Sequence, residues 1–450
     1  MTVTSDLRAS QLARTAGERI YRIVGGNPLN GSVRIGGAKN AALPMLAATL
    51  LTSEPVVLND VPNLADIANM IEILQSLGAD VEWDRAKRKV TVRAENIHTM
   101  AVPPALVERM RASFLVSGPL LARFGEFDAS VPGGCQLGAR PVDVDMHGFR
   151  QMGAEVLASD VSISAKAEAL HGARIFMDYP SHTGTENLLM AATLAEGTMT
   201  ITNASCEPEI VALGAMLNRM GARISGLGSP YITVEGVARL RGVSETILPD
   251  RLEAGTYAVA AVVTGGKIVL ENVRSTDMLP VTSKLRDAGA SVWQSDSSML
   301  VEAGSSLNSI DIQTLPFPGF PTDLQAPFAV LMTQAKGTSK LKERIFDDRL
   351  RYTDELARMG ANVAINKYSA TPGKVSYGNE VTISGPTKLR GAEVRALDIR
   401  AGAGVVIAGL VAEGETTITD VKHMDRGYDG LVEKLRSLGA TIEEGIKPAS

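Results

Sequence analysis

The chain has 450 residues, of which 45% are hydrophobic and 21% are charged, and its formal net charge is −5 at pH 7. This composition is typical of a soluble globular protein of two or three domains, and the acidic balance argues against general nucleic-acid binding. The presence of only two cysteines excludes a disulfide scaffold and favours a reducing compartment, so we expect a cytoplasmic protein.

The N-terminal residues 1–19 are polar and lack the apolar stretch of a secretory signal. They predict a tail that precedes the fold. No apolar run reaches the roughly 18 residues that a transmembrane helix requires, so we expect no membrane association.

A Gly-Ala pair follows a helix-like amphipathic stretch six times, at intervals of 68 to 79 residues. The pairs are Gly78-Ala79, Gly153-Ala154, Gly221-Ala222, Gly289-Ala290, Gly360-Ala361 and Gly439-Ala440. Glycine after a helix adopts the left-handed conformation at little cost, and a short β-rich run follows each pair. Each unit of about 70 residues therefore predicts strand, helix, strand, helix, strand. Six units predict two α/β domains of three βαβαβ-type repeats, whereas the alternative, a solenoid, usually has periods of about 20–50 residues.

Polar clusters stand where the first helix of each repeat is predicted to begin. They cover residues 36–40, 111–113, 181–185, 249–251, 321–323 and 398–400. Helix N-termini present free N–H groups and the positive end of the helix dipole, and therefore attract anions. If the three helices of a domain point the same way, the interface between the domains would bind a substrate with several phosphates or carboxylates.

Seven basic residues would make such an interface cationic in spite of the acidic chain. They are Lys39, Arg111, Arg140, Arg251, Arg349, Arg400 and Arg426. Arginine at a helix start opposes the helix dipole, so Arg251 and Arg400 are unfavourable there as solvated surface residues without a function. The alternatives remain open for others, because Ser181, Thr322 and Asp398 could be plain N-caps and Lys39 could be solvated.

A glycine-rich loop, residues 132–143, contains Cys135 five positions before Arg140. A nearby cation would lower the pKa of the thiol and make it a proton donor or nucleophile, although most lone cysteines are packing residues. Cys206 is expected only to pack. The five histidines show no ligand spacing, so we expect neither a metal site nor a cofactor.

Several motifs resemble those of the UDP-N-acetylglucosamine 1-carboxyvinyltransferases, which belong to the enolpyruvyl transferase family. The matching segments are 25–31, 36–43, 110–113, 132–143, 248–251, 320–323 and 425–428, and the resemblance runs from about Ile20 to Glu444. It implies two inside-out α/β domains. One domain would comprise residues 20–38 plus 249–450, and the other, which carries the glycine-rich loop, residues 39–248.

The resemblance implies that phosphoenolpyruvate donates its enolpyruvyl group to the 3′-hydroxyl of UDP-N-acetylglucosamine, with release of phosphate. This reaction is the first committed step of peptidoglycan synthesis, and it needs two small-molecule substrates, no cofactor and no obligate protein partner. Two alternatives remain open: a 3-phosphoshikimate 1-carboxyvinyltransferase, which does not use the glycine-loop cysteine, and a catalytically silent nucleotide-sugar-binding paralogue.

The resemblance also implies roles for individual residues. The catalytic set is Cys135 as proton donor and target of fosfomycin, Asp323 as base, Lys39 and Arg426. Phosphoenolpyruvate would contact Lys39, Asn40, Arg140, Arg400 and Arg426. UDP-N-acetylglucosamine would contact Arg111, Arg140, Pro141, Val142, Asp143, Val144, Ser181, Asp323 and Ile345. Arg251 and Arg349 resemble supporting cations.

One segment departs from the family pattern. Tyr179 stands where members often carry a lysine that meets the diphosphate, so that contact would rest on Ser181, Thr183 or backbone N–H groups. His182 could contribute, or it could be an ordinary hydrogen-bonded loop histidine.

Overall fold

The computed structural model describes residues 17–131, 142–371 and 374–448. Most of the predicted tail and residues 132–141 of the glycine-rich loop, with Cys135, Arg140 and Pro141, lie outside the described residues. Among the helices that are described, none combines the length and the apolar character needed to cross a membrane.

The chain divides into two units. The terminal unit, so named because it contains both ends of the chain, comprises the described parts of Met1–Ile35, Arg251–Leu315 and Phe320–Ser450. The inserted unit comprises Gly36–Asp250 and the short segment Pro316–Gly319.

The strands in chain order are β1 (Glu18–Val24), β2 (Asn30–Arg34), β3 (Val56–Asn59), β4 (Asp80–Asp84), β5 (Lys89–Arg93), β6 (Glu126–Ser130), β7 (Glu155–Ala158), β8 (Ser162–Lys166), β9 (Arg174–Phe176), β10 (Thr198–Thr202), β11 (Arg223–Ser225), β12 (Tyr231–Glu235), β13 (Ser244–Thr246), β14 (Lys267–Glu271), β15 (Ser291–Gln294), β16 (Ser298–Glu302), β17 (Ile312–Gln313), β18 (Gly337–Lys342), β19 (Asn362–Thr371), β20 (Lys374–Gly385), β21 (Glu393–Arg395), β22 (Glu415–Thr419) and β23 (Thr441–Lys447).

The α-helices are α1 (Lys39–Ala48), α2 (Ala65–Leu77), α3 (Pro104–Val107), α4 (Ser117–Phe124), α5 (Asp143–Gln151), α6 (His182–Ala192), α7 (Pro208–Met220), α8 (Arg251–Val263), α9 (Leu279–Asp287), α10 (Gln325–Gln334), α11 (Thr353–Arg358), α12 (Ile399–Val411) and α13 (Leu431–Ser437). Short 3₁₀ helices cover Thr49–Leu51, Arg111–Val116, Ser275–Met278, Thr322–Leu324, Arg349–Tyr352 and Val421–Arg426.

Each unit contains three small sheets within the described residues. In the inserted unit the strand orders are β13-β3-β5-β4, β6-β8-β7 and β11-β12-β10-β9. In the terminal unit they are β15-β16-β14-β2, β17-β18-β20-β19 and β21-β22-β1-β23. Five of the six repeats end in an antiparallel hairpin, such as β11–β12, where the sequence pattern predicts a single strand, and the sixth ends in β23, which pairs with β1. The predicted α/β fold with three repeats per unit is confirmed.

The N-terminal strands complete sheets that are otherwise built from the second half of the chain. β2 pairs in parallel with β14, and β1 lies antiparallel between β22 and β23. β1 buries Ile20, Tyr21 and Ile23, which anchors it in the core of the terminal unit. The chain therefore begins in the same unit in which it ends.

Helices that are buried on nearly every side form the centre of each unit. In α8 every residue from Arg251 to Val262 is buried, and α10 and α12 are buried almost as completely. A helix that is apolar all round is stable only when neighbours cover all its faces. Close packing explains the small residues in these helices, because a Cβ atom added to Gly404 would lie 3.0 Å from the Cβ of Ala326.

The six Gly-Ala pairs end six helices in the same way. All six glycines have positive φ angles, between 95° and 111°. The Gly221 N–H donates to the Asn218 carbonyl and the Ala222 N–H donates to the Leu217 carbonyl, both at 3.0 Å, and the other five pairs repeat this pattern. These two bonds define a Schellman C-cap, so the predicted helix ends are confirmed.

Candidate active site

The six polar clusters predicted at helix starts lie at the starts of buried helices. Lys39 begins α1, Arg111 begins the 3₁₀ helix that leads into α4, Ser181 precedes α6, Arg251 begins α8, the 3₁₀ helix Thr322–Leu324 leads into α10, and Asp398 precedes α12. The Ser181 hydroxyl accepts from the Gly184 N–H at 3.1 Å, and the Asp398 carboxylate accepts from the N–H groups of Arg400 and Ala401. Ser181 and Asp398 therefore act as N-caps.

In the terminal unit, Asp323 stands between two arginines. Arg349 Nη2 donates to Asp323 Oδ1 at 2.7 Å, and Arg400 Nε donates to Asp323 Oδ2 at 3.1 Å. Both arginine side chains are 5% exposed, whereas the Asp323 side chain is 25% exposed. The two guanidinium groups thus fix the carboxylate in orientation while part of it reaches solvent.

The buried Arg349 remains a cation. Burial alone would lower its pKa, but the neighbouring carboxylates of Asp323, Asp398 and Glu343 outweigh burial and raise the pKa of Arg349. Its guanidinium also lies 5.1 Å from the centre of the Phe346 ring. The charge at this position is therefore permanent.

Arg400 and the segment that contains Arg426 lie close together. The Arg400 guanidinium is 5.2 Å from the centre of the Tyr428 ring, and the Tyr428 hydroxyl forms a 3.0 Å hydrogen bond with Thr256 of α8. A Cβ atom added to Gly427, the residue after Arg426, would lie 3.8 Å from Arg400 Nη1. The terminal unit thus groups Asp323, Arg349 and Arg400 and places the chain around Arg426 beside them.

In the inserted unit, Lys39 is buried and paired. Lys39 Nζ lies 3.1 Å from Asp66 Oδ2 in the first turn of α2, and the two side chains are 11% and 6% exposed. The structure therefore does not support the alternative that Lys39 is a solvated surface residue. Sequence reasoning missed Asp66, whose only signal was its position in a first helical turn.

Asp145 links α5 to α6 and, through α6, to α4, which follows the 3₁₀ helix that begins at Arg111. It lies on α5, and its Oδ1 accepts a 2.7 Å hydrogen bond from Nδ2 of Asn187 on α6. The Asn187 Oδ1 in turn accepts from the Gly118 N–H of α4 at 3.2 Å. Burial raises the pKa of Asp145 to about 6, although Asn187 and nearby Arg111 pull the pKa downward.

The predicted contacts around this link are close in the chain or in space. Asp143 begins α5, Val142 is buried, and a Cβ atom added to Gly184 near the start of α6 would lie 2.7 Å from Val144 Cγ1. The starts of α5 and α6 are therefore in tight contact, which brings Val144 to Ser181.

His182 forms an ion pair within α6. Its Nε2 lies 3.0 Å from Oε1 of the buried Glu186. Burial opposes the charge on His182, but Glu186, Glu207 and Glu209 outweigh it and raise the pKa of His182 to about 10. His182 is therefore hydrogen-bonded, as the second alternative expects, but it lies in the first turn of α6 and not in a loop; Tyr179 is exposed.

Two further predicted contact residues, Asn40 and Ile345, are half-buried. The Ile345 N–H donates to Glu343. Burial, with help from Glu207, raises the pKa of the Cys206 thiol, which fits a packing role. The described residues contain no cluster of His, Cys, Asp and Glu that could hold a metal ion.

Comparison with known proteins identifies the family. A family model described as EPSP synthase (3-phosphoshikimate 1-carboxyvinyltransferase) matches residues 23–435. UDP-N-acetylglucosamine 1-carboxyvinyltransferase 1 of Caldanaerobacter subterraneus subsp. tengcongensis is 46% identical over 92% of this chain and 97% of its own length. UDP-N-acetylglucosamine 1-carboxyvinyltransferase of Magnetococcus marinus is 47% identical over 93% of this chain and 97% of its own.

Solved structures agree with this assignment. The enolpyruvyl transferase NikO from Streptomyces tendae superposes with a TM-score of 0.86 at 25% identity, covering 96% of this chain and 100% of that one. EPSP synthase from Acinetobacter baumannii shares the fold, with a TM-score of 0.71 at 20% identity over 95% of this chain and 100% of that one. The chain therefore belongs to the enolpyruvyl transferase family, among the UDP-N-acetylglucosamine 1-carboxyvinyltransferases.

Proposed function

We propose that this protein transfers the enolpyruvyl group of phosphoenolpyruvate to the 3′-hydroxyl of UDP-N-acetylglucosamine and releases phosphate. The observation that carries the proposal is the Asp323 carboxylate at the start of the buried helix α10, which is hydrogen-bonded to Arg349 and to Arg400 in the first turn of α12. A partly exposed carboxylate can take a proton from a hydroxyl, and neighbouring cations stabilise the negative charge of an anionic substrate.

The proposed reaction is an addition followed by an elimination. The base takes the 3′-hydroxyl proton, the sugar oxygen bonds to C2 of phosphoenolpyruvate, and an acid gives a proton to the methylene carbon. The resulting tetrahedral intermediate keeps its phosphate until a proton leaves the new methyl group, when the double bond re-forms and phosphate departs. Each step needs a positioned acid or base and cations for the phosphate and carboxylate.

We assign the roles as follows. Asp323 is the base, and Cys135 in the glycine-rich loop is the proton donor. Phosphoenolpyruvate is held by the basic residues Lys39, Arg140, Arg400 and Arg426 with Asn40. The nucleotide sugar is held by Arg111, Arg140, Pro141, Val142, Asp143, Val144, Ser181, Asp323 and Ile345. Supporting this assignment, Lys39 and Arg400 are buried beside carboxylates at helix starts, where backbone N–H groups favour anions.

Two other functions are less well supported. The relatives that are 42–47% identical are named for UDP-N-acetylglucosamine, whereas the EPSP synthase structures resemble this chain at 20% identity, which speaks to the fold alone. A silent paralogue would not need to retain Lys39, Asp323 and Arg426 together.

We further propose that the protein acts in the cytoplasm at the first committed step of peptidoglycan synthesis. Through that step it would act in cell shape and division.

A phosphate-release assay with purified protein tests the proposal. Phosphoenolpyruvate should yield phosphate with UDP-N-acetylglucosamine and not with shikimate 3-phosphate. Release with shikimate 3-phosphate alone would overturn the acceptor, and release with neither would favour the silent paralogue.

Fosfomycin tests the role of the loop cysteine separately. The drug should inactivate the protein and add its mass to the peptide that contains Cys135. A Cys135→Ser variant should not be labelled, while a Cys206→Ser variant, the matched control, should be labelled normally. Labelling that persists in Cys135→Ser would contradict the role given to Cys135.

A further inference from the structure

A buried carboxylate that the sequence did not single out lies next to the proposed base. Glu343 follows β18 and is 1% exposed. Its Oε1 accepts from the Thr314 hydroxyl at 2.9 Å and from the N–H groups of Ile345 and Phe346 at 2.7 and 3.2 Å. These donors replace the water that the carboxylate has lost on burial.

The other oxygen of Glu343 faces the start of α10. Its Oε2 accepts from the Thr322 hydroxyl at 2.7 Å and from Gln325 Nε2 at 2.9 Å. The Gln325 Oε1 then accepts from the buried Tyr352 hydroxyl at 2.8 Å. Glu343 thus joins the strand–loop segment after β18 to the helix start that carries Asp323.

The direction of these hydrogen bonds matters for Asp323. An ionised carboxylate only accepts, so the Thr322 hydroxyl must give its single proton to Glu343. The lone pairs of that hydroxyl are then available to Arg349, whose Nη1 donates to it at 2.7 Å. The same guanidinium donates through Nη2 to Asp323 at 2.7 Å.

The planar guanidinium turns this chain of contacts into an orientation. Because the two Nη atoms of Arg349 are held in one rigid plane, fixing Nη1 on Thr322 also fixes the direction of Nη2 toward Asp323. Glu343 therefore fixes the direction in which the Thr322 hydroxyl donates. Thr322 in turn fixes the plane of the Arg349 guanidinium, and Arg349 fixes the orientation of the Asp323 carboxylate. Through the backbone N–H of Ile345, Glu343 also holds a predicted nucleotide-sugar contact.

We propose that Glu343 is a positioning residue for the transfer reaction, aligning the base Asp323 through Thr322 and Arg349 and holding the segment of Ile345 and Phe346 in register with it. The inference rests on the proposed function and deepens it. Glu343 does not itself touch the reacting atoms. Its contribution is the alignment of a group whose displacement by about 1 Å can reduce a rate by about 100-fold.

Substitution of Glu343 by glutamine tests the proposal with almost no change in volume. The new amide NH₂ has no acceptor beside the fixed backbone N–H groups of Ile345 and Phe346, so it would face Thr322 and Gln325, whose side chains can reorient. Thr322 would then lose its fixed polarity. We expect Glu343→Gln to lower kcat by roughly 10- to 100-fold, with KM for phosphoenolpyruvate within about twofold of the wild-type value.

Glu355→Gln is the matched control for this variant. Glu355 is another buried glutamate of the terminal unit, and it also accepts from a backbone N–H, that of Arg395, as well as from the Arg358 side chain. These contacts lead to Arg358 and Arg395 and lie outside the chain of hydrogen bonds from Glu343 to Asp323. Both variants should lower the melting temperature, but only Glu343→Gln should lower kcat to the extent given above.

A second pair of variants keeps the test decisive if Glu343→Gln fails to fold. Thr322→Val removes the hydroxyl between Glu343 and Arg349, and Thr333→Val removes a buried hydroxyl of α10 that donates to the Val330 carbonyl. Thr322→Val should lower kcat about tenfold or more, and Thr333→Val should leave it within about twofold.

The possible failures can be told apart. A wild-type protein that releases no phosphate with UDP-N-acetylglucosamine would refute the reaction, and the positioning role with it. An active wild type in which Glu343→Gln matches Glu355→Gln in kcat, or Thr322→Val matches Thr333→Val, would refute the positioning role alone.

Discussion

Substitution of Asp323 by asparagine addresses the centre of the proposed mechanism. The variant keeps the size of the side chain and one acceptor oxygen, but it replaces the other oxygen by an NH₂ group that faces a guanidinium. It removes both the base and the negative charge that Arg349 and Arg400 share at 2.7 and 3.1 Å. Activity and stability should therefore fall together, for separable reasons.

The loss of activity follows from general base catalysis. A positioned base contributes about 10²- to 10⁴-fold to a rate, which corresponds to about 3 to 5 kcal/mol of activation free energy. We expect kcat of Asp323→Asn to fall by that factor. The variant should still bind UDP-N-acetylglucosamine in isothermal titration calorimetry, because the other proposed nucleotide-sugar contacts are unchanged.

The loss of stability follows from the two buried cations. Removing one partner of a buried ion pair costs about 3 to 5 kcal/mol, and the retained oxygen and partial exposure of Asp323 favour the lower end, about 3 kcal/mol in urea unfolding. Asp354→Asn, on the Lys367 and Tyr377 side of the terminal unit, is the matched control and should retain kcat within about twofold. A kcat for Asp323→Asn within tenfold of wild type would refute the assignment of Asp323 as the base.

Three further substitutions test the inserted unit. Lys39→Met deprives the buried Asp66 of its cation, so we expect a loss of about 3 kcal/mol in urea unfolding and a fall of more than tenfold in kcat/KM for phosphoenolpyruvate; an unchanged kcat/KM would contradict the role of Lys39. Asp145→Asn should stabilise the fold by up to about 3 kcal/mol at pH 7.5 and have little effect at pH 4. The reason is that the raised pKa of Asp145 makes the stability of the wild-type protein fall as pH rises from about 4 to about 6. An equal effect at both pH values would contradict this cause. His182→Gln should cost about 1.5 to 3 kcal/mol of stability near pH 6, and this cost should shrink as pH rises toward 10. The ion pair with Glu186 is fully formed below the unfolded-state pKa of about 6.5, and it is lost as pH rises through the raised pKa of His182 in the folded protein. A difference that does not depend on pH would exclude a charged pair.

Backbone features with a local cause were the most predictable from the sequence. A Schellman cap requires glycine at one position and a helix before it, so each Gly-Ala pair marks the end of a helix. Likewise, Arg400 at a helix start signals a nearby carboxylate, because its charge opposes the dipole. The second strand of the hairpin that ends five of the repeats was harder to predict, because short β-rich runs carry few residues from which a period can be read.

Side-chain partners were the least predictable part of the site. Lys39 and Asp66 are 27 positions apart, Asp323 and Arg349 are 26 apart, and Asp323 and Arg400 are 77 apart. No periodicity connects positions that only the tertiary fold brings together. Glu343 shows this most clearly, because a single glutamate after a strand is usually a solvated residue and only its five hydrogen bonds reveal a buried one.

The pairing of these residues also explains why net charge says little about the site. A cation in the first turn of a helix opposes the dipole at a cost of about 0.3 to 1 kcal/mol, and burial adds a larger penalty. A charge-assisted hydrogen bond contributes about 1.5 to 3 kcal/mol, so Asp323 with two such bonds, and Asp66 with Lys39, offset much of that cost within their own units. These buried cations are therefore accompanied by carboxylates, and the net charge of the whole chain says little about the charge of the site. Those carboxylates also stabilise the buried cations in the folded protein. Replacing Asp66 or Asp323 by a larger apolar residue should therefore lower stability so far that an effect on catalysis could not be measured separately. The isosteric amide is the informative substitution for this reason.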